Sequence, residues 1–235
     1  MSWQKPEGMD EYLKATELCD CDNEEIRKKA KEIIKDTKTP KEAALRIFYF
    51  VRDEIPLMLD DLDVKASETL KKKRGVCAHN TNLQVALLRA VGIPARYHQR
   101  NVKKECVKGV VSSLVYNRLP GIVWFDNHCE CYLSQRWVAC ESVYDKPLYE
   151  AMLKEGLVTK EQIPTIDWDG EKDLVVSAHW ITEDVGTFPS LDDIFRKAQK
   201  EMYPNVVVKL FGRFLMSRSN RHTDRLRKGE IKTKQ

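Results

Sequence analysis

The chain has 235 residues and a mass of 27.3 kDa; 42% of the residues are hydrophobic, 32% are charged, and 10 glycines and 9 prolines are present. This composition excludes collagen-like, low-complexity and wholly disordered proteins. No apolar run is long enough to cross a bilayer, and the first residues lack the apolar stretch of a secretion signal. Seven cysteines without such a signal indicate reduced thiols, so we expect a cytoplasmic protein.

The net charge of +4 is distributed unevenly along the chain. Residues 217–235 contain seven lysines and arginines against two acidic residues, so the rest of the chain is almost neutral. A basic tail of this kind can bind nucleic acid or an anionic membrane. Because it has neither interleaved aromatic residues nor an amphipathic stripe, the pattern favours a solvated, flexible terminus without such contacts.

Helical periodicity dominates the first part of the chain. One helix is predicted to begin at Asp22 or Asn23, either of which can cap it. A second is predicted from residue 40, because Thr39 and Glu42 have the spacing of a capping box around a proline. A shorter helix is predicted over residues 65–73.

The most informative helix is predicted to begin at Cys77 and to end before Gly92. The unpaired N–H groups and the positive dipole end of a helix start stabilise a thiolate. The same N–H groups can donate to the oxyanion of a tetrahedral intermediate. Cys77 is therefore a candidate nucleophile, which still requires a base and a group that orients the base.

Strands follow this helix. Residues 95–101 predict one strand, and residues 122–132 and 137–142 predict two more that are joined by a tight polar turn. Two further helices are predicted over residues 148–157 and 190–202. Helices, then antiparallel strands, then helices again indicate the α+β class.

The predicted hairpin provides a geometric test for the missing base. If Ser134 and Gln135 form a two-residue turn, continued pairing places His128 directly opposite Glu141 on the same face. A carboxylate in that position fixes the tautomer of a histidine and stabilises its imidazolium form. A slip of one residue in the register would separate the pair.

The same pairing brings three thiols together on the opposite face of the hairpin. Cys129 is then opposite Cys140, with Cys131 two residues along the strand. Such a cluster can bind zinc or form a disulfide, but the spacing does not match a zinc ribbon. The pattern favours small hydrophobic residues that pack against the helix of Cys77.

These motifs resemble the transglutaminase-like superfamily over about residues 43–145. Gly-Val-Cys, continued into Gly-Ile-Pro-Ala-Arg, resembles the nucleophile region of that family, and the two hairpin strands resemble its histidine and acidic strands. The segments that carry the resemblance are 66–70, 74–77, 86–97, 127–132 and 137–142.

The resemblance implies a papain-like α+β core, in which the nucleophile-bearing helix packs on a small antiparallel sheet with extra helices at both ends. It implies Cys77 as nucleophile, His128 as base and Glu141 as orienting carboxylate, without a metal or other cofactor. Members of the family hydrolyse amides or peptides, transfer acyl groups to amines or remove glycans from proteins, and some have lost activity.

The sequence departs from the family pattern at two places. The family usually has aspartate where this chain has Glu141, which makes Asp145 the reserve candidate for the acid. The family also favours a small residue and then tryptophan after the histidine, where this chain has cysteine and glutamate. His79 and Trp124 are candidates for lining the cleft, although His79 also suits a helix cap.

The chain is predicted to comprise an N-terminal helical segment (1–40), a catalytic core (41–145), a helical extension packed on the core (146–216) and a basic flexible tail (217–235). We expect a cysteine-dependent hydrolase of amide or peptide bonds that forms a thioester acyl-enzyme. The alternatives are acyl transfer to an amine acceptor and a catalytically silent binding module. The expected substrate is a peptide or small amide, and no obligate protein partner is inferred.

Overall fold

The computed structural model of the chain describes residues 7–231. This range contains eight α-helices and one four-stranded antiparallel sheet, and three short 3₁₀ helices lie at Asp10–Leu13, Lys104–Val107 and Ala178–Trp180. The helices are α1 (Glu24–Ile33), α2 (Pro40–Glu54), α3 (Ala66–Lys72), α4 (Cys77–Ala90), α5 (Ser113–Tyr116), α6 (Lys146–Lys154), α7 (Asp192–Met202) and α8 (Val206–Arg227). The strands are β1 (Ala95–Lys103), β2 (Ile122–Leu133), β3 (Arg136–Ala139) and β4 (Ile181–Phe188).

The predicted α+β class is confirmed by the position of α4 on the sheet, whose strands run in the order β3-β2-β1-β4. Leu83 and Leu87 of α4 are fully buried in the common core. Polar side chains of α4 also bond to the strands: Thr81 Oγ1 donates to the carbonyl of Asn127 (3.1 Å), and Gln84 Nε2 donates to that of Cys140 (3.0 Å). The helix that carries the candidate nucleophile is thus fixed to β2 and to the end of β3.

The predicted helix starts are confirmed where a cap is encoded locally. Asn23 Oδ1 accepts a hydrogen bond from the N–H of Glu25 (2.9 Å) at the start of α1. Thr39 Oγ1 accepts one from Glu42 (3.1 Å) at the start of α2, where Pro40 is the first helical residue.

The predicted hairpin turn is also confirmed. Ser134 and Gln135 both have positive φ values, 48° and 64°, as a two-residue turn between strands of right-handed twist requires. The pairing of β2 with β3 then runs from Leu133 opposite Arg136 to Glu130 opposite Ala139.

The hairpin ends earlier than residue 142, and this corrects the predicted opposition of His128 and Glu141. The N–H of Cys140 still bonds to the carbonyl of Cys129 (2.9 Å), but the N–H of Glu141 donates to the carbonyl of Leu174 (3.0 Å). From Glu141 onward the backbone thus bonds to the segment around Leu174 and no longer to β2. His128 and Glu141 therefore do not form a cross-strand pair.

All seven cysteines are free thiols. Cys129, Cys131 and Cys140 are fully buried in the core. Cys140 Sγ lies 3.9 Å from Cys131 Sγ and accepts a hydrogen bond from Gln84 Nε2 (3.2 Å). The three thiols pack against α4 as small, weakly polar core residues.

The predicted C-terminal extension is not purely helical, because it contains β4. This strand pairs antiparallel with β1, from Tyr97 opposite Phe188 to Val102 opposite Ile181. Most of its residues are exposed or half-buried, so its sequence lacks the apolar alternation that marks a strand. The extended conformation of β4 depends on backbone pairing with β1, which cannot be predicted from the local sequence.

The predicted flexible tail is wrong over residues 217–227, which continue α8; residues 232–235 of that tail lie outside the described residues. Ser219 Oγ accepts a hydrogen bond from the N–H of Ser112 (2.9 Å), and Thr223 Oγ1 donates to the carbonyl of Val110 (2.9 Å). Small polar side chains hold this helix to a loop, which is why no apolar stripe revealed it.

Within residues 7–231, none of the helices combines the length and the hydropathy that crossing a membrane requires.

Candidate active site

Cys77 is the first residue of α4 and remains partly exposed. The preceding Val76 has no side chain that can cap the helix, and His79 performs this task instead. His79 Nδ1 accepts a hydrogen bond from the N–H of Val76 (3.1 Å), and Nε2 donates to the carbonyl of Asp61 (2.7 Å). A Cβ atom at position 75 would lie 2.4 Å from His79 Cβ, so the capping arrangement requires Gly75.

His79 is therefore part of the support of the helix start rather than a free cleft-lining group. Its side chain is buried, and burial lowers its pKa to about 4, so the ring is neutral at physiological pH. Since the protein backbone engages both ring nitrogens, neither is left to bind a substrate. His79 was a candidate for lining the cleft or for capping the helix, and the structure shows it as a cap.

The thiol of Cys77 lies among acidic and weakly polar groups. Burial raises its pKa well above the ordinary value, and the nearby carboxyl of Asp126 raises it further. Cys106 and Glu141 act in the same direction. The resting form of Cys77 at neutral pH is consequently the thiol.

Asp126 and Glu141 form a buried carboxyl pair beside this thiol. Burial raises the pKa of Asp126 to about 6, although interactions with Cys77 and Ser177 oppose the increase. Burial and the charge of Asp126 raise the pKa of Glu141 to about 8. Near pH 7 the carboxyl pair thus shares one proton and carries one negative charge.

Ser177 fixes the carboxylate of Glu141. Its N–H and its hydroxyl donate to Glu141 Oε2 at 3.0 Å and 3.3 Å. The carboxyl group of Glu141 is therefore oriented by a residue near the 3₁₀ helix at Ala178–Trp180, outside the region that resembles the family. These two hydrogen bonds from Ser177 take the place of the one that was predicted from His128.

His128 lies on β2 two residues beyond Asp126 and is fully buried. Its ring is 5.0 Å from that of His98, the residue opposite it on β1. Neither ring nitrogen of His128 has a hydrogen-bond partner within residues 7–231. Burial, then the positive charges of Arg100 and His98, lower its pKa to about 3, so the ring is neutral. Its role as the base stays a prediction.

Asp145 is not available as the reserve acid, because both its oxygens are engaged elsewhere. Its Oδ1 caps α6 by accepting a hydrogen bond from Leu148 (3.1 Å). Arg227 of α8 binds the same carboxylate, with Nε 2.9 Å from Oδ1 and Nη2 3.0 Å from Oδ2. Asp145 therefore connects α6 to α8.

Trp124 lies near the start of β2. Its ring packs edge-on against that of Phe125, with centroids 5.5 Å apart, and Lys197 Nζ of α7 lies 5.4 Å from the Trp124 centroid. Its predicted part in lining a cleft stays a prediction.

The residue that sequence reasoning missed is Asp126, and one signal could have identified it. The family pattern of a histidine, a small residue and a tryptophan does not fit when His128 is taken as the histidine. Moving the pattern by two residues puts Asp126 at the histidine, Asn127 at the small residue and His128 at the tryptophan. The proximity of Asp126 to Cys77, whose pKa values influence each other, agrees with this second register.

Because the pKa of Glu141 is raised, we expect the free energy of unfolding to depend on pH. Folding raises the pKa from its ordinary 4.5 to about 8, so the folded state binds this proton more tightly than the unfolded state. That contribution is complete below the ordinary pKa and is lost as the pH rises through the folded value. Glu141→Gln, which cannot ionise, is expected to lose less stability than wild type between about pH 6 and about pH 9.

Urea unfolding at the two pH values measures this difference. Glu150→Gln, an exposed substitution on α6, is the matched control and should follow the wild type. A wild-type stability that falls no more than that of Glu141→Gln over this interval would contradict a raised pKa of the buried carboxyl group at position 141.

Comparison with known proteins gives a family and two similar structures. Residues 27–142 match the family model of the transglutaminase-like superfamily. No curated protein sequence matches the chain. A candidate cysteine protease from Cytophaga hutchinsonii is 20% identical with a TM-score of 0.47, over 61% of this chain and 45% of that protein. A candidate protease from Parabacteroides distasonis is 12% identical with a TM-score of 0.38, over 56% of this chain and 25% of that protein. This chain thus spans less than half the length of each of these two proteins.

Proposed function

Residues 27–142 belong to the transglutaminase-like superfamily, and from this premise we propose that the chain is a cysteine-dependent hydrolase of amide or peptide bonds. Cys77 is the nucleophile of this proposal. The observation that carries it is the position of the Cys77 thiol, at the N-terminus of α4 and beside the buried carboxyl groups of Asp126 and Glu141. Free thiols at all seven cysteines support a reducing, cytoplasmic setting.

In the first half of the reaction, Cys77 Sγ attacks the carbonyl carbon of the substrate while its proton passes to the carboxylate of Asp126. The backbone N–H groups at the start of α4 donate to the developing oxyanion. The tetrahedral intermediate then expels the amine, which takes its proton from the protonated Glu141. A thioester on Cys77 is left, with Asp126 protonated and Glu141 ionised.

In the second half, water attacks the thioester carbon and gives its proton to the carboxylate of Glu141. The thiolate of Cys77 leaves the carbon and recovers its proton from Asp126, which releases the acid and restores the starting state. If an amine replaces the water, the same steps transfer the acyl group to that amine. Hydrolysis and acyl transfer therefore require the same residues and differ in the second substrate.

A catalytically silent binding module is the second candidate function. It is favoured by the raised pKa of Cys77 and by the carboxyl, rather than imidazole, that interacts with its thiol. A thiol without a thiolate–imidazolium pair is a weak nucleophile unless a base removes its proton during attack.

Trapping the acyl-enzyme distinguishes the two functions. The full chain is incubated with a library of peptide amides and then examined by intact-mass and peptide mass spectrometry. Hydrolytic activity predicts an acyl adduct on Cys77 that hydroxylamine removes, and Cys77→Ala should give none. Absence of any Cys77 adduct across the library would favour the binding module.

The pH dependence of adduct formation is a further expectation. The proposed steps need Asp126 ionised and Glu141 protonated, so the rate should be maximal between the two pKa values of the pair, about 6 and about 8. A rate that continues to rise through pH values well above this range would indicate attack by free thiolate and would remove the carboxyl pair from the mechanism.

A further inference from the structure

A second cluster of ligand-forming side chains lies further along β2. His98 of β1 is directly opposite His128 of β2, and Glu130 follows His128 by two residues on the same face of the sheet. One ligand atom from each of these three residues lies within 4.8 Å of the other two. His98, His128 and Glu130 are called the histidine cluster below.

The unpaired ring nitrogens of His128 are the first indication that the histidine cluster binds a metal or another group. Its side chain is fully buried, yet neither ring nitrogen bonds to any residue in the range 7–231. Buried polar atoms are nearly always satisfied, because an unpaired one loses its hydration without compensation. A group that accepts a nitrogen lone pair would remove this cost.

His98 is held in the orientation that a metal ligand requires. Its Nε2 donates to Asp184 Oδ1 of β4 (2.7 Å), which directs Nδ1 toward Glu130 Oε1, also at 2.7 Å. A histidine that binds a metal through one nitrogen usually donates from the other to a carboxylate in this way. Asp184 thus occupies the place of a supporting carboxylate.

Glu130 can offer one oxygen to a cation once the proton that His98 Nδ1 donates to it has left. Its Oε2 accepts a hydrogen bond from Arg96 Nε (2.7 Å), which leaves Oε1 facing the imidazoles. Arg96 Nε and His98 Nδ1 each lie 2.7 Å from an oxygen of this carboxylate, which is the environment of an ionised glutamate. The positive charges of Arg96 and Arg100 oppose a bound cation, and we expect weaker binding than in structural zinc sites.

We propose that the histidine cluster is a binding site for a divalent transition metal of the zinc type, with His98 Nδ1, a nitrogen of His128 and Glu130 Oε1 as ligands. Two histidines and one carboxylate are a known ligand set for zinc that keeps the fourth position open. Binding replaces the proton that His98 Nδ1 donates to Glu130, and this proton is released to solvent. Cys77 is not a ligand, so the proposal is independent of the proposed hydrolase activity.

Zinc titration of the full chain tests the site without any substrate. Isothermal titration calorimetry of the metal-free wild type should give one Zn²⁺ per chain, with proton release that depends on the buffer. Asp184→Asn is expected to weaken binding by about 10–100-fold, because the supporting carboxylate is lost. The exposed neighbour Glu183→Gln is the matched control and should bind like the wild type.

Two further measurements identify the ligands. His98→Gln should abolish stoichiometric binding while circular dichroism and the melting temperature report an intact fold. The Co²⁺-loaded wild type should lack the charge-transfer absorption of thiolate ligands. Unaltered binding by His98→Gln, a thiolate spectrum that indicates Cys129, Cys131 and Cys140, or a wild type that binds no zinc would each overturn the proposal.

Discussion

Asp126→Asn is expected to form the acyl-enzyme on Cys77 about 10²–10⁴-fold more slowly than the wild type, the range associated with loss of a general base. The amide retains the size of the side chain but cannot accept the thiol proton. Because the pKa of Cys77 is already raised by burial and by Asp126, removing this acceptor leaves a protonated thiol without a base. The measurement is the rate of adduct formation on Cys77 with the best peptide amide from the library.

Two variants accompany this measurement. Asp193→Asn, at an exposed position in the first turn of α7, controls for the general effect of removing an acidic group. His128→Gln tests the base role that the family resemblance predicts. If His128→Gln loses more activity than Asp126→Asn, with both variants folded, the base is His128 and the assignment to Asp126 is wrong.

The largest effect on stability is expected from Arg227→Ala. The Arg227 and Asp145 side chains are 13% and 4% exposed, and the guanidinium also donates to the carbonyl of Leu57 (3.1 Å). Removing one partner of a buried ion pair leaves the other charge desolvated and unpaired, which typically costs about 3–5 kcal/mol. We expect a loss of that order in the free energy of unfolding.

Urea unfolding at neutral pH measures this loss. Arg225→Ala is the matched control, because Arg225 is 59% exposed and its ion pair with Glu230 is 3.9 Å long. Exposed pairs contribute about 0–1 kcal/mol, so the control should remain close to the wild type. Equal losses in the two variants would mean that α8 is not held through Asp145.

The sequence predicts those elements of the fold whose signals are local. Asn23 and Thr39 cap their helices with their own side chains, and the Ser134–Gln135 turn determines the pairing of the strands next to it. The transglutaminase-like family, inferred from a few motifs, is confirmed by the match over residues 27–142.

The sequence does not predict features that depend on distant contacts. β3 ends where it does because Glu141 bonds to Leu174, and the orientation of Glu141 comes from Ser177. Helix α8 is held to its neighbours by Ser219 and Thr223, which bond to the backbone around residues 110–112. No periodicity in the sequence reports such bonds.

The candidate site illustrates the same limit. Cys77 is identified from its position at a helix start, which is a local signal. The group beside its thiol depends on how β2 runs past α4, and two registers of the family pattern differ there by two residues. The structure brings Asp126 to Cys77, whereas the triad with His128 stays a prediction.

The strand β4 has a practical consequence for anyone who prepares a fragment of this protein. A fragment cut at residue 142, the end of the family match, would lack β4 and Ser177. The edge of β1 from Tyr97 to Val102 would then present unpaired N–H and C=O groups, which template edge-to-edge association between chains. Such a fragment is expected to aggregate during expression, so the smallest useful unit for biochemistry extends beyond Phe188.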